Sequence, residues 1–203
     1  MLKLIKIAIT GGVASGKSSV CRFFKELGAC TVNADAIVHE LLNPDTDLGK
    51  QIILKFGAEI LDHGKISRRI VAEKAFSDPR KLKELEDLLH PAVLRKIEEL
   101  YAQACREGKY TSFVVEIPLL YEIGGESFYD VIVAVLADES IARARFEQAG
   151  FQPTEYDRRM SRQIKPHQKS ARAHFTIQNN GSLSGLKESV AKLDRTIHNL
   201  PQH

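Results

Sequence analysis

Short apolar runs alternate with amphipathic stretches along the chain, and this alternation predicts its secondary structure. Apolar, β-rich runs predict five strands, at residues 4–10, 29–33, 112–117, 129–137 and 175–178. Between the strands, apolar residues recur at helical spacing, and Gly28 and Pro118 mark two segment ends. Strands that alternate with helices indicate right-handed crossovers. The chain is therefore predicted to form an α/β fold, with a five-stranded, mainly parallel sheet between helices.

One long stretch interrupts this alternation between the second and third predicted strands. Residues from about 58 to 107 show helical periodicity throughout. Pro91 is expected to separate two helices within this stretch, because the residue before a proline avoids the helical region. We therefore predict a single domain over residues 1–203 that carries a helical insertion at about 58–107.

Composition narrows the class of protein. Apolar residues make up 43% of the 203 positions and charged residues 27%, which excludes a disordered or collagen-like chain. The net charge of +3 is too weak to suggest nucleic-acid or membrane partners. Cys21, Cys30 and Cys105 form no CxxC pair, and the N-terminus lacks the pattern of a signal peptide. We expect a cytoplasmic protein, and the sequence leaves its oligomeric state open.

The clearest chemical signal follows the first predicted strand and opens a predicted helix. It matches the GxxxxGK[ST] phosphate-binding pattern, whose glycines let backbone N–H groups wrap a phosphate. Its residues are Gly11, Gly12, Val13, Ala14, Ser15, Gly16, Lys17 and Ser18. Lys17 is expected to place its charge on the β- and γ-phosphates, and Ser18 to bind Mg²⁺. The alternative is a glycine-rich turn without a ligand. No NKxD sequence occurs, which favours a small-molecule kinase over a GTPase.

Asp35 is the candidate for chemistry on a phosphoryl acceptor. It lies two residues after the second predicted strand, at the sheet edge where α/β proteins place ligands. A nearby carboxylate can orient an acceptor hydroxyl and take its proton. A carboxylate after a strand also commonly caps the next helix. Position alone leaves both roles open.

A basic segment follows the fourth predicted strand and its helix. Residues 158–187 contain no Asp or Glu, although charged residues elsewhere mix both signs. The basic residues are Arg158, Arg159, Arg162, Lys165, Lys169, Arg172 and Lys187. We expect this segment to neutralise phosphates and to close over them as a lid. A nucleic-acid patch is the alternative, but the segment lacks the interleaved aromatic residues.

Together, several motifs resemble the dephospho-coenzyme A kinase family. They are GGVASGKS, VNADAIVHELL, KFGAEIL, ISRR, FSDP, LLHP, EIPLLYE and IQNNG, in this order between about residues 5 and 190. The resemblance implies a P-loop kinase fold with a core, a helical substrate-binding region and a lid at about 139–172. It implies ATP, Mg²⁺ and dephospho-coenzyme A as ligands, with transfer of the γ-phosphate to the acceptor's 3′-hydroxyl.

The resemblance also assigns roles to residues. Asp35 matches the family's catalytic base, and Asn33 stands where the family usually has a second aspartate. Positions that match the substrate side are Phe56, Arg68, His90, Pro118 and Leu119. Of these, Phe56 is expected to serve mainly in packing, and Arg68 is either a pyrophosphate ligand or a solvated charge.

On the nucleotide side, Arg145 and Arg159 match arginines of the family's lid, and Arg145 joins Lys17 as a catalytic candidate. Glu116 matches an acidic position that reaches Mg²⁺ with Ser18, or it is a charge that faces solvent at the end of its strand. A nucleoside monophosphate kinase with another acceptor and a nucleotide-binding switch remain the alternative functions.

Overall fold

The computed structural model describes residues 3–200, and within them strands and helices alternate largely as predicted. The strands are β1 (Ile5–Gly11), β2 (Cys30–Asn33), β3 (Leu61–Asp62), β4 (Lys65–Ile66), β5 (Ser112–Glu116), β6 (Val131–Leu136) and β7 (Phe175–Gln178). The helices are α1 (Lys17–Glu26), α2 (Ala34–Leu41), α3 (Asp47–Phe56), α4 (Arg68–Phe76), α5 (Pro79–Glu107), α6 (Glu139–Gln148), α7 (Pro153–Met160), α8 (Pro166–Arg172) and α9 (Leu183–His198). Short 3₁₀ turns occupy Ala58–Ile60 and Glu126–Phe128.

The five predicted strands form one sheet in the order β2-β5-β1-β6-β7. The central strand β1 pairs in parallel with β5 and β6, and β6 pairs in parallel with β7. Their side chains pack against α1 and α9 in a core that includes Ile7, Val20, Phe24, Val133 and Val190. The predicted α/β fold with a mainly parallel sheet is therefore confirmed. Because β1 is central, its carboxyl end brings residue 11 into the middle of one sheet edge.

The chain divides into two compact units. The first comprises the residues up to Val32 and those from Gln103 onward, and the second is Asn33–Ala102. The second unit has its own apolar core, which includes Leu48, Ile52, Ile60 and Val71. It begins before the predicted insertion start at about residue 58, because α2 and α3 contribute to the same core. The assignment of this unit to substrate binding stays a prediction.

Two features of the second unit differ from the sequence-based expectation. Residues 61–66 were predicted as helix, but β3 and β4 form a small antiparallel hairpin. Its two-residue turn, His63-Gly64, has φ angles of 47° and 75°, which is typical of the tight turns that favour glycine. The second difference is α5, which runs without a break through Pro91. Leu85 and Ala92, on either side of that point, belong to the same apolar core, so packing holds the helix together where the proline removes a hydrogen bond.

The predicted lid region, about residues 139–172, contains three helices in the first unit. α6 and α7 pack together through Ala142, Phe146 and Tyr156. α7 ends at Met160, and a separate helix, α8, follows it. No helix among residues 3–200 has the length and apolar character needed to cross a membrane.

Candidate active site

The phosphate-binding loop connects β1 to α1 with a backbone that only glycine accommodates at two positions. Gly11 has a φ of +146°, and a Cβ there would lie 2.2 Å from the Val135 carbonyl oxygen. Gly16 has a φ of +98°, and its Cβ would lie 2.1 Å from Nδ2 of Asn179. Both substitutions would strain the backbone and create a clash. The loop is therefore shaped by its neighbours β6 and the segment after β7.

Lys17 lies inside the loop that it is expected to serve. Its side chain is only 8% exposed, and Nζ donates hydrogen bonds to the carbonyl oxygens of Gly12 at 2.7 Å and Gly11 at 3.3 Å. The ammonium group is thus held at the start of α1, where free N–H groups favour an anion. This is an arrangement that can bind a nucleotide phosphate.

The sequence-based prediction missed Asn179, which makes a hydrogen bond to the backbone of the phosphate loop. Asn179 is 6% exposed, and its Nδ2 donates to the Ser15 carbonyl oxygen at 2.8 Å. The backbone carbonyl oxygen of Asn179 accepts a hydrogen bond from Nη1 of Arg145 at 2.9 Å. One residue thus contacts both the phosphate loop and a predicted lid arginine. The available signal was the IQNNG motif at the end of the last predicted strand.

Ser18 and Glu116, the two predicted metal ligands, lie together. Ser18 Oγ donates to Oε1 of Glu116 at 2.9 Å, and Glu116 is 7% exposed, so the carboxylate does not simply face solvent. Both are hard oxygen groups of the kind that Mg²⁺ prefers. Within residues 3–200, no three His, Cys, Asp or Glu side chains form a group that could hold a metal ion.

Buried Cys21 lies close to the same charges. Burial raises the pKa of its thiol well above the ordinary value, and the Glu116 carboxylate raises it further. Because the thiolate is the nucleophilic form, we expect the Cys21 thiol to be a poor nucleophile in the folded protein. All three cysteines are free thiols.

Helices α6 and α7 lie against the phosphate loop through Val13, which packs with Ala142, Phe146 and Tyr156. Arg159, on α7, is exposed, donates to Oε1 of Glu155 and lies over the ring of Phe151 at 4.8 Å. Arg145 and Arg159 are therefore on neighbouring helices but have different partners.

The acid-free basic segment is not a bare positive surface. Glutamates from other segments pair with several of its residues. The pairs are Arg159–Glu155, Lys169–Glu122, Arg172–Glu126 and Lys187–Glu26. Several of the seven basic residues therefore have acidic partners, and the expectation that the segment neutralises phosphates stays a prediction. The composition of residues 158–187 could not show that the acidic partners lie outside this segment.

The turn after β5 contains the predicted substrate-side residues Pro118 and Leu119. The Pro118 carbonyl oxygen accepts from Nζ of Lys169 at 2.6 Å and from Oγ1 of Thr10 at 3.2 Å. Leu119 is 41% exposed, whereas Leu120 is fully buried. Leu119 is thus the leucine of this turn that can touch a ligand.

In the second unit, Asp35 lies in the first turn of α2 and is exposed. It is not the cap of this helix: the side chain of Asn33 accepts from the Ala36 N–H at 3.0 Å and fills that role. The capping interpretation of Asp35 is therefore wrong. Asn33 is as good a cap as aspartate, which gives this position a local use that needs no carboxylate.

The other predicted substrate-side residues of the second unit have different surroundings. Arg68, at the start of α4, lines a cavity of about 450 Å³ together with His39, Asn43 and Lys65. Phe56 is 5% exposed and belongs to the core, which favours packing over substrate contact. His90 is half-buried in the middle of α5, directly before Pro91.

The fold and the phosphate loop define the class of protein. The structure of shikimate kinase from Acinetobacter baumannii superposes with a TM-score of 0.55 at 15% identity, covering 98% of this chain and 96% of that one. The chain therefore has the fold of P-loop kinases.

The family follows from closer matches. A family model described as dephospho-CoA kinase matches residues 5–185, and the chain belongs to this family. Dephospho-CoA kinase from Protochlamydia amoebophila is 45% identical over 95% of this chain and 96% of its own length. The Chlamydia pneumoniae enzyme of the same name is 40% identical over 94% and 95%. The structure of dephospho-CoA kinase from Campylobacter jejuni has a TM-score of 0.69 at 26% identity, covering 95% and 96%.

Proposed function

We propose that this protein transfers the γ-phosphoryl group of ATP to the 3′-hydroxyl of dephospho-coenzyme A, giving coenzyme A and ADP. The observation that carries the proposal is the dephospho-CoA kinase family match over residues 5–185, which spans the phosphate loop and the basic helices. This reaction is the last step of coenzyme A synthesis, as the family resemblance implies. The free cysteines favour a cytoplasmic location.

ATP binds in this proposal at the carboxyl end of β1. The loop from Gly11 to Ser18 wraps the phosphates, and Lys17 neutralises charge on the group in transfer. Arg145 adds a second positive charge, held in place by the Asn179 carbonyl oxygen at 2.9 Å. Arg159 reaches the phosphates from α7 by exchanging its bond to Glu155.

Mg²⁺ fits the oxygen pair of Ser18 and Glu116, which would hold it directly or through water. When bound, the ion would neutralise charge on the nucleotide phosphates. Ser18 lies next to Lys17 at the start of α1, and Glu116 ends β5. The protein therefore offers a metal position beside its phosphate-binding lysine.

In this proposal, dephospho-coenzyme A contacts the residues that match the family's substrate side. Asp35 orients the 3′-hydroxyl and accepts its proton. The cavity lined by Arg68 and Lys65, with Asp45 as its one carboxylate, offers a net positive charge to an anionic part of the acceptor such as its pyrophosphate. His90, Pro118 and Leu119 complete the predicted contacts, whereas Phe56 supports them from the core.

The test is ADP release from ATP with purified protein and Mg²⁺, measured with and without dephospho-coenzyme A. We expect release to rise at least a hundredfold when the acceptor is present, and mass spectrometry to detect coenzyme A. Adenosine monophosphate and shikimate serve as control acceptors.

Two outcomes would replace the proposal with its alternatives. Phosphorylation of a nucleoside monophosphate in preference to dephospho-coenzyme A would indicate a nucleoside monophosphate kinase. Tight ATP binding with slow turnover and no effect of any acceptor would indicate a nucleotide-binding switch.

A further inference from the structure

A buried ion pair links α8 to the turn after β5. The side chain of Lys169 is fully buried, although lysine is seldom buried without a partner. Its Nζ lies 2.8 Å from Oε1 of Glu122 and donates to the Pro118 carbonyl oxygen at 2.6 Å. Both partners belong to the segment that follows β5. The ammonium group is therefore directed at this segment and away from solvent.

The Pro118 carbonyl oxygen accepts hydrogen bonds from side chains of two other elements, α8 and β1. Besides Lys169, it accepts a hydrogen bond from Oγ1 of Thr10 at 3.2 Å. Thr10 directly precedes Gly11, the first residue of the phosphate loop. A single backbone oxygen thus joins the strand that leads into the phosphate loop, the turn with the predicted acceptor contacts, and α8.

The start of α8 is fixed on both of its sides. Glu122 Oε1 also accepts the Ile164 N–H at 2.8 Å, just before the helix. On the other side, a Cβ at Gly12 would lie 3.0 Å from Cγ of Pro166, so the first residue of α8 packs directly over the phosphate loop. Lys169 therefore holds a helix that contacts the loop and the turn together.

Stability alone is a poor explanation for this pair. Burial lowers the pKa of Lys169, while the Glu122 carboxylate opposes that change. A buried pair repays its desolvation only with good geometry, and apolar replacements of the same size are often neutral or stabilising. The pair is therefore better explained by the position that it gives to its neighbours.

We propose that Lys169 and Glu122 are positioning residues for phosphoryl transfer, whose ion pair holds the Pro118-Leu119 turn in register with the phosphate loop. The proposal rests on the proposed function, since the turn matters only if it contacts the acceptor. It replaces the expected role of Lys169 as a phosphate-neutralising lysine of the lid.

The experiment compares three variants with the wild type. Lys169→Met removes the ammonium and leaves Glu122 buried without its charge partner. Lys169→Met combined with Glu122→Gln also removes the second charge, yet keeps an oxygen for the Ile164 N–H. Lys83→Met is the control, because it breaks an exposed lysine pair with Asp87 in the second unit.

Stability and transfer should separate in these variants. We expect Lys169→Met to lower Tm by about 10 °C, and the double variant to recover most of this loss. Both should reduce kcat for transfer to dephospho-coenzyme A by about 10–100-fold, because small misplacements of reacting groups are costly. The Kd for ATP should stay within twofold of wild type in both variants. Lys83→Met should leave Tm, kcat and this Kd unchanged.

Two results would overturn the proposal. The first is a double variant that transfers phosphate at the wild-type rate at temperatures where it is fully folded, since the pair would then serve stability alone. The second is unchanged amide exchange of residues 118–124 and 163–170 in the double variant, measured by mass spectrometry. If the wild type itself transfers nothing to dephospho-coenzyme A, the proposed function fails, and the exchange result still decides whether the pair fixes the turn.

Discussion

Asp35 is the residue at which a kinase and a mere nucleotide binder differ. It is exposed in the first turn of α2, and Asn33 already caps that helix, so capping does not explain its carboxylate. If Asp35 accepts the proton of the acceptor hydroxyl, Asp35→Asn should slow single-turnover transfer by about 10²–10⁴-fold. ATP affinity, measured by calorimetry with Mg²⁺, should change little.

The neighbouring asparagine provides the control. Asn33→Ala removes the cap and should lower the free energy of unfolding by about 1 kcal/mol, while transfer in the folded protein persists. Transfer at the wild-type rate by Asp35→Asn would contradict the base role and direct the search to Glu116. Weakened Mg²⁺-dependent ATP binding by Asp35→Asn would instead assign the carboxylate to the metal.

Asn179 is expected to support ATP binding through its hydrogen bond to the phosphate loop. Asn179→Ala removes the hydrogen bond to the Ser15 carbonyl oxygen and leaves that buried oxygen without this donor, a loss worth about 1–3 kcal/mol. We expect the KM for ATP to rise by about tenfold or more, with a smaller effect on the KM for dephospho-coenzyme A. Steady-state kinetics measure both. Asn199→Ala, at an exposed position, is the control. Equal rises in the two KM values of Asn179→Ala would argue against a specific role at the phosphate loop.

The phosphate-loop residues that were predicted from the sequence lie close together in the chain, whereas the contacts that were missed join residues far apart in the sequence. Lys17 and Ser18 belong to one contiguous motif whose geometry follows from spacing. The contact between Asn179 and Ser15 joins positions 164 residues apart, and that of Lys169 with Pro118 spans 51. Such contacts depend on strand order, which periodicity alone does not give.

At the scale of elements, α5 shows tertiary packing overriding a local signal. Pro91 lacks the N–H that would bond the Asp87 carbonyl oxygen, yet the helix continues from Pro79 to Glu107. Pro91→Ala restores this donor and should raise the free energy of unfolding, by at most about 3 kcal/mol. Urea denaturation measures the change.

Pro79, at the start of the same helix, is the matched control for Pro91→Ala. A proline in the first turn loses no helical hydrogen bond, so Pro79→Ala should leave the stability nearly unchanged. Equal effects of the two substitutions would show that the hydrogen bond at Pro91 is not the limiting factor. A higher KM for dephospho-coenzyme A in Pro91→Ala alone would support the predicted role of His90.

The small elements were the hardest to predict. The β3–β4 hairpin has two residues in each strand, too few for an alternating pattern to stand out from a helical background. Its usable signal was the His63-Gly64 turn. α8 was also not predicted, because a seven-residue helix with a buried lysine lacks the apolar stripe of a surface helix.

At the scale of the whole molecule, the sheet followed from the sequence because five apolar runs separated by helices admit few α/β arrangements. The two-unit division was less accessible. α2 and α3 look like ordinary crossover helices in sequence, yet Leu41, Leu48 and Ile52 pack in the same core as α4 and α5. Which apolar faces meet is a property of the folded chain, and periodicity does not specify it.

Nucleotide binding is expected to raise the stability of the whole chain. A ligand that binds only the folded state stabilises it by RT ln(1 + [L]/Kd), about 2.7 kcal/mol at a hundredfold excess over Kd. ATP with Mg²⁺ should therefore raise Tm by roughly 5–10 °C, given about 2–4 °C per kcal/mol at this size. Differential scanning calorimetry measures the shift.

Two variants show whether this stabilisation arises at the phosphate loop. Lys17→Ala should lose most of the shift while its circular dichroism spectrum stays native, because Nζ supplies the charge beside the Gly12 carbonyl oxygen. Asp35→Asn should keep the full shift, since its proposed role begins only when the acceptor is present. A full shift in Lys17→Ala would place the nucleotide elsewhere on the protein, and the assignment of the loop would have to be withdrawn.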